Sequence, residues 1–142
     1  MRIAEILSRK PGPAIVTIAP ERSVRDLVAV LAEHNIGACV VSADGHHVDG
    51  IVSERDIVRR LRGEDPLDQP VSSIMTSRVA TCDEDAVVDD LMGLMTHRRI
   101  RHVPVVRDGA LVGVVSIGDL VKHRIDELTF ERDQLEVYVQ QG

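Results

Sequence analysis

"GVVSIGD", from Gly113 to Asp119, repeats a pattern already written as "GIVSERD", from Gly50 to Asp56, sixty-three positions earlier. Each stretch begins as a short β-branched run and reads as a strand. Each then reaches a serine followed three residues later by an aspartate, a helix-start signal. Apolar positions at helical spacing follow: Ile57, Val58 and Leu61 in the first copy, Ile117, Leu120 and Val121 in the second. The serine and the aspartate are kept, while Glu54-Arg55 in one copy becomes Ile117-Gly118 in the other.

The likeness extends outward. Thr17 opens "TIAPERSVRDL" and Thr81 opens "TCDEDAVVDDL", sixty-four positions apart. Val24, Leu27, Val28 and Leu31 match Val88, Leu91, Met92 and Met95, each set predicting one apolar face of an amphipathic helix. Ser23, with Asp26 three residues on, is suited to cap the first of these helices. Short strands follow in "IGACVVSADG" and "IRHVPVVRDG", ending on the hairpin signals Asp44-Gly45 and Asp108-Gly109. The offset drops by one across this turn, so the first copy carries an extra residue near His46-His47, where a surface loop absorbs it.

The predicted fold is α/β (α+β): two tandem β-α-β-β-α units plus a long C-terminal helix. The domain reading is an N-terminal segment over 1–13, a first repeat over 14–62, a linker over 63–76 that Pro66 and Pro70 keep from being helical, a second repeat over 77–125 and a helical extension over 126–142. A unit of about 60 residues has little core of its own. The two are therefore expected to pack sheet against sheet about a pseudo-twofold axis.

Composition narrows the function. Of 142 residues, 44% are hydrophobic and 28% charged, as in a globular chain, and only Phe130 and Tyr138 are aromatic. A flat ring would have to be held by aliphatic side chains and backbone. The formal net charge of −6 argues against general nucleic-acid or anionic-membrane binding. No apolar run approaches the roughly 20 residues a membrane span needs, and the charged start "MRIAEILSRK" does not read as a signal peptide. Cys39 and Cys82 lack C-x-x-C spacing and read as reduced thiols of a cytoplasmic protein. Adjacent His46 and His47 point apart and have no nearby co-ligands, so no metal site and no cofactor are expected.

The ordered set "VTIAPERSV", "IGACVV" and "GIVSERDIV", then "SIMT", "VATCDEDAVVDDLMGLM", "RHVPVV" and "GVVSIGDLV", resembles a pair of CBS domains, the Bateman module. The resemblance covers roughly residues 14 to 125. It implies two clefts between paired repeats that bind AMP, ADP, ATP, NAD or S-adenosylmethionine, a regulatory role toward an attached or separate protein, and dimers that are often flat discs. It also implies that Thr17 and Thr81 line the clefts; the residues by themselves read equally as ordinary edge-strand threonines. The strands around Cys39-Val40 and Val103-Pro104 would offer backbone groups to the base edge, with Pro104 removing one N–H. Val40 stands where the second copy has Pro104.

The residues themselves support a sugar and phosphate site at each junction. An ionised aspartate accepts through two oxygens and can take both ribose hydroxyls, which assigns Asp56 and Asp119 to the sugar. Ser53 and Ser116 can donate to phosphate or ribose. The other reading of each Ser and Asp pair is a helix cap that needs no ligand. Gly118 allows close approach of a ligand to the backbone. Arg55 either pairs with phosphate or salt-bridges to a neighbouring acid, so the two clefts are expected to differ. Arg101 and His102 stand at a strand entrance within "HRRIRH", His97 to His102. That run reads as a phosphate site, a solvated helix end or, least of all, a nucleic-acid contact.

From Ile117 onward Val121, Ile125, Leu128, Leu135 and Val139 form a heptad-like seam, with Arg132 in the one missing place. The tail must pack back on its own module or pair with a second chain, and a homodimer is expected. The leading functional expectation is a non-catalytic sensor of an adenosine-containing ligand that acts on an unidentified partner protein. The alternative is a structural homodimeric interaction protein with vestigial clefts. Neither a nucleophile–base pair nor a P-loop is legible, so no catalytic residue is assigned.

Overall fold

A computed structural model describes residues 1–12 and 15–141; the boundary read between residues 13 and 14 lies outside the described residues. The chain runs α1 (Ile3–Arg9), β1 (Thr17–Ile18), α2 (Val24–His34), β2 (Ala38–Val41), β3 (Gly50–Ser53), α3 (Glu54–Arg60), a 3-10 turn (Val71–Ser73), β4 (Cys82–Asp83), α4 (Val88–Arg98), β5 (His102–Arg107), β6 (Ala110–Ser116) and α5 (Ile117–Gln141). It forms two three-stranded sheets, β1-β2-β3 and β4-β5-β6. In each the first pair is parallel and the second antiparallel.

The duplication is written into the register. Ile18 pairs with Val41 as Cys82 pairs with Val105, and Ala38 faces Ser53 as His102 faces Ser116. Glu54 N–H donates to Gly37 O as Ile117 N–H donates to Arg101 O. Ser23 caps α2 by accepting from Asp26 N–H at 3.1 Å. The hairpin glycines Gly45 and Gly109 both take φ of +80°, the left-handed conformation such turns require. The longer first loop turns its His46 carbonyl to Leu111 N–H of β6 at 2.7 Å, so the extra residue also ties the two repeats together.

Each repeat has one aliphatic core. Val24, Leu27, Leu31, Cys39, Val41, Val52 and Ile57 build the first; Val88, Leu91, Met95, Val103, Val105, Val115 and Leu120 build the second, position for position. Two further pairs complete them, and here the chain crosses over. Ile3 and Ile6 of α1, which precedes the first repeat, pack in the second core. Val71 and Ile74, which precede the second repeat, pack in the first. "IAEILS" from Ile3 and "VSSIMT" from Val71 thus hold equivalent places, and the stretches read as terminal segment and linker each carry core.

Alternation along the strands shows how the sheets meet. Cys39 and Val41 point to the first core, yet Ala38 and Val40 on the opposite face of β2 are also buried. Both faces of β2 are therefore covered. Pro104 of β5 is buried in the same way.

The helical stripes are narrower than the sequence predicts. Val28 is exposed on α2, which turns Val24, Leu27 and Leu31 to the core; Val58 and Leu61 are exposed too, because α3 ends at Arg60 and offers only Ile57. The tail continues as one helix, but Val121, Ile125, Leu128, Leu135 and Val139 are all exposed, so its seam does not fold back onto its own module.

Truncating Ile3 or Val71 to alanine should each cost about 2–4 kcal/mol in urea unfolding, because both are fully buried. A loss below about 0.5 kcal/mol for Ile3→Ala would show that α1 is dispensable to the second core.

Candidate functional site

The strand-to-helix junctions are built alike. In the first, Asp56 accepts through Oδ2 from Ser53 N–H at 2.8 Å and Ser53 Oγ at 3.1 Å, and Ser53 Oγ accepts from Asp56 N–H at 3.3 Å. In the second, Asp119 accepts through Oδ2 from Ser116 N–H at 2.9 Å, and Ser116 Oγ accepts from Asp119 N–H at 3.1 Å. These are reciprocal helix caps, and they point each carboxylate along a fixed line. The capping and ligand readings are therefore compatible, since the cap uses one carboxylate oxygen and leaves the other.

The surroundings of the two aspartates differ. Asp56 borders a cavity of about 440 Å³ between the repeats, within the roughly 300–1,000 Å³ typical of small-molecule sites. One side comes from the first repeat: Gly37, Ala38, Ile51 to Asp56, and Arg59. The rest comes from Thr76, Arg78, Val79 and Ala80 on the way to β4, and from Arg98 to His102 at the end of α4. Ile51, Val79, Ala80 and Ile100 give this space half-buried aliphatic walls, while arginines stand at its edge. Among the described residues Asp56 Oδ1 makes no hydrogen bond and is not a buried unsatisfied atom.

Asp119 is instead held by the N-terminal segment. Lys10 Nζ lies 2.9 Å from Asp119 Oδ2 and donates to Val114 O at 2.8 Å. Burial alone would raise the Asp119 pKa; the Ser116 N–H and the Lys10 ammonium outweigh it and hold the carboxyl below its ordinary value. On the register that equates Ile3 and Ile6 with Val71 and Ile74, Lys10 corresponds to Arg78, which borders the open cavity. A smaller hollow of about 100 Å³ lies beside Asp119, among Lys10, Pro11, Lys122, His123 and Asp126.

Five of the residues singled out in the sequence meet at the large cavity: Ser53, Arg55, Asp56, Arg101 and His102. His102 is kept neutral chiefly by burial and then by the Lys10 charge, which together lower its pKa. The others lie elsewhere. Thr17 is half-buried in the ladder opposite Val40, and Thr81 is exposed next to Ala80. Cys39 and Val103 point into the two cores, and Val40 and Pro104 are buried on the opposite strand faces. Ser116, Gly118 and Asp119 stand at the Lys10-occupied junction. Burial pushes the Cys39 thiol up to about 11, and burial with the Asp83 charge does the same for Cys82, so neither is a reactive thiolate near neutral pH. Arg59, Arg78, Arg98 and Arg99 border the cavity without having been assigned; the run "HRRIRH" was the signal for two of them.

Comparison with known proteins bears on this geometry. The family model described as the CBS domain matches residues 3–63 and 71–126, beginning at the two crossing segments. A CBS domain-containing protein of Arabidopsis thaliana, CBSX3, mitochondrial, is 37% identical over 126 residues, 84% of this chain; the chain spans 61% of that relative's length. A putative signal-transduction protein with CBS domains from Burkholderia ambifaria superposes with a TM-score of 0.82 at 40% identity, covering 89% of this chain and 95% of that one. The CBS domain protein PAE2072 from Pyrobaculum aerophilum, solved with AMP, gives 0.73 at 30% identity over 84% of this chain and 89% of its own. The CBS domain pair of protein MJ0100, solved with 5-methylthioadenosine and S-adenosyl-L-methionine, gives 0.79 at 27% identity over 89% of this chain and 98% of its own.

The depressed Asp119 carboxyl contributes stability that is present above its unfolded value and is lost as pH falls through the lower folded value. Lys10→Met should lower stability at pH 7 by about 1 kcal/mol and flatten the acid limb of a melting-temperature profile between pH 7 and about pH 3. Parallel acid limbs in the two proteins would rule out this pairing in solution.

Proposed function

The chain belongs to the CBS-domain family, and from that premise we propose that it is a non-catalytic regulatory module that binds an adenosine-containing ligand in the cavity between its repeats. The observation that carries this reading is Asp56, capped through one oxygen and free through the other, on a cavity lined by both half-buried aliphatic side chains and guanidinium groups. The free oxygen suits ribose hydroxyls, the half-buried aliphatic walls suit a flat base, and the arginines suit phosphate. AMP, 5-methylthioadenosine and S-adenosyl-L-methionine occupy two of the similar structures, and ADP, ATP and NAD share the same adenosine core.

Such a ligand touches both repeats at once, so its binding energy depends on how they are set relative to each other. Any arrangement that binds it better is populated at the expense of the rest, and a partner protein can read the difference. The same cavity favours this reading over a purely structural module, for which no hollow beside Asp56 is needed.

Self-association is the second element of the proposal. The tail seam of Ile125, Leu128, Leu135 and Val139 is exposed along α5, and Val28 on α2, Val58 on α3 and Leu61 just after it add apolar surface. Burying this surface against a second copy gives a homodimer with the tail helices in contact.

In a thermal-shift series with adenosine, AMP, ADP, ATP, NAD and S-adenosylmethionine, the ligand that fits should add about 2.7 kcal/mol of stability at a hundred times its dissociation constant. Asp56→Asn should remove that shift while costing about 1 kcal/mol of unliganded stability as a weakened cap. A wild-type protein unmoved by every compound would refute the sensor reading. In sedimentation, the wild type should run as two chains, and the paired change Leu128→Lys and Leu135→Lys should run as one; an unaltered mass would remove the tail from the interface.

A further inference from the structure

We infer that the cavity between the repeats selects its ligand by charge, taking an adenosine nucleotide with two or more phosphates and rejecting the cationic S-adenosylmethionine. The inference rests on the reading of this cavity as an adenosine site and narrows what that site accepts.

Six of the chain's seventeen Lys and Arg residues border this one cavity: Arg55, Arg59, Arg78, Arg98, Arg99 and Arg101. Against them stand two carboxylates, Glu54 and Asp56, with His102 held neutral by burial and by the Lys10 charge. The cavity therefore carries four positive charges in excess, in a chain whose formal net charge is −6. Among the described residues none of the six makes an ion pair, whereas five of the nine arginines elsewhere do: Arg22, Arg25, Arg107, Arg124 and Arg132. Like charges gathered without partners repel one another, and a polyanion relieves that repulsion.

The backbone supplies a separate argument. α4 ends on Arg99 with φ of +55°, a left-handed conformation that arginine seldom adopts. The equivalent end of α2 uses Asn35 at φ of +51°, a residue suited to it. Asn35-Ile36-Gly37 in the first repeat thus becomes Arg99-Ile100-Arg101 in the second, two guanidinium groups gained where the fold asks for none. Both border the cavity from the second repeat, while Asp56 borders it from the first.

Charge matching sets the ligand class. A terminal phosphate brings about two negative charges and each bridging phosphate about one more, so AMP leaves the excess half neutralised and a triphosphate cancels it. S-adenosylmethionine adds positive charge and is repelled. Guanidinium forks bond phosphate oxygens in pairs, so successive phosphates find separate arginines.

Isothermal titration of the full chain with adenosine, AMP, ADP, ATP, S-adenosylmethionine and inorganic tripolyphosphate, at low and high salt, tests this. ADP and ATP should bind about tenfold or more tighter than AMP, S-adenosylmethionine should give no heat, and ATP affinity should fall as salt rises. AMP binding as tightly as ATP, or S-adenosylmethionine binding at all, overturns the charge selection and leaves the adenosine reading standing. Tripolyphosphate matching ATP overturns the adenosine reading, since the nucleoside then adds nothing; silence from every compound overturns both. The double change Arg99→Asn and Arg101→Gly, which writes the first repeat's own turn into the second, should melt no lower than wild type, weaken ATP by about tenfold or more and leave adenosine unaffected. Unchanged ATP affinity in that well-folded variant also overturns the inference.

Discussion

The exchange of core residues between the two repeats is the constraint on which the molecule depends. Neither sheet with its two helices closes its own aliphatic core. The first is finished by Val71 and Ile74, from the chain leading into the second, and the second by Ile3 and Ile6, from the chain leading into the first. A unit this small has too little interior to tolerate the loss of two buried aliphatic side chains. The repeats must therefore fold against each other, and the space between them is as well defined as either core. A cavity lined from both sides is a direct result of this arrangement.

Within that symmetric frame the two junctions have diverged by side-chain chemistry rather than by backbone. Both Ser and Asp pairs form the same reciprocal cap. Lys10 then meets Asp119, while its counterpart Arg78 stands at the edge of the cavity beside Asp56 without an ion pair among the described residues. The path from Lys10 to Thr17 is four residues longer than that from Arg78 to Thr81. Asp119 is thus paired with the protein's own cation, while Asp56 has no cation partner among the described residues. A duplicated fold can set its two junctions in different surroundings with no change in strand order.

Much of the fold was legible because its signals are local. The Ser23 cap, the left-handed turn glycines, the alternating strands and the one-residue offset at the first hairpin all follow from residues a few positions apart. The equivalence of "IAEILS" and "VSSIMT" was missed because it consists of two buried aliphatic positions in a single helical turn, with no shared cap or turn residue to mark it. Periodicity puts Val58 and Leu61 on a helix face without saying what covers it; α3 turns only Ile57 to the core and ends before Leu61. Arg101 and His102 were found as part of a basic run. Arg59 and Arg78 belong to that site only because segments far apart in the chain converge there.

By itself the sequence determined a doubled unit of strands and helices, an aliphatic interior and a Ser and Asp cap at each strand end, because periodicity, capping and turn chemistry act over a few residues at a time. It left open whether the tail lies against its own module, which aspartate meets a lysine and where the arginines gather. Those were decided only when the two sheets closed on each other, since burial, ion pairing and local charge depend on distances in space that chain separation does not set. The tail seam stayed exposed because both cores were already complete without it.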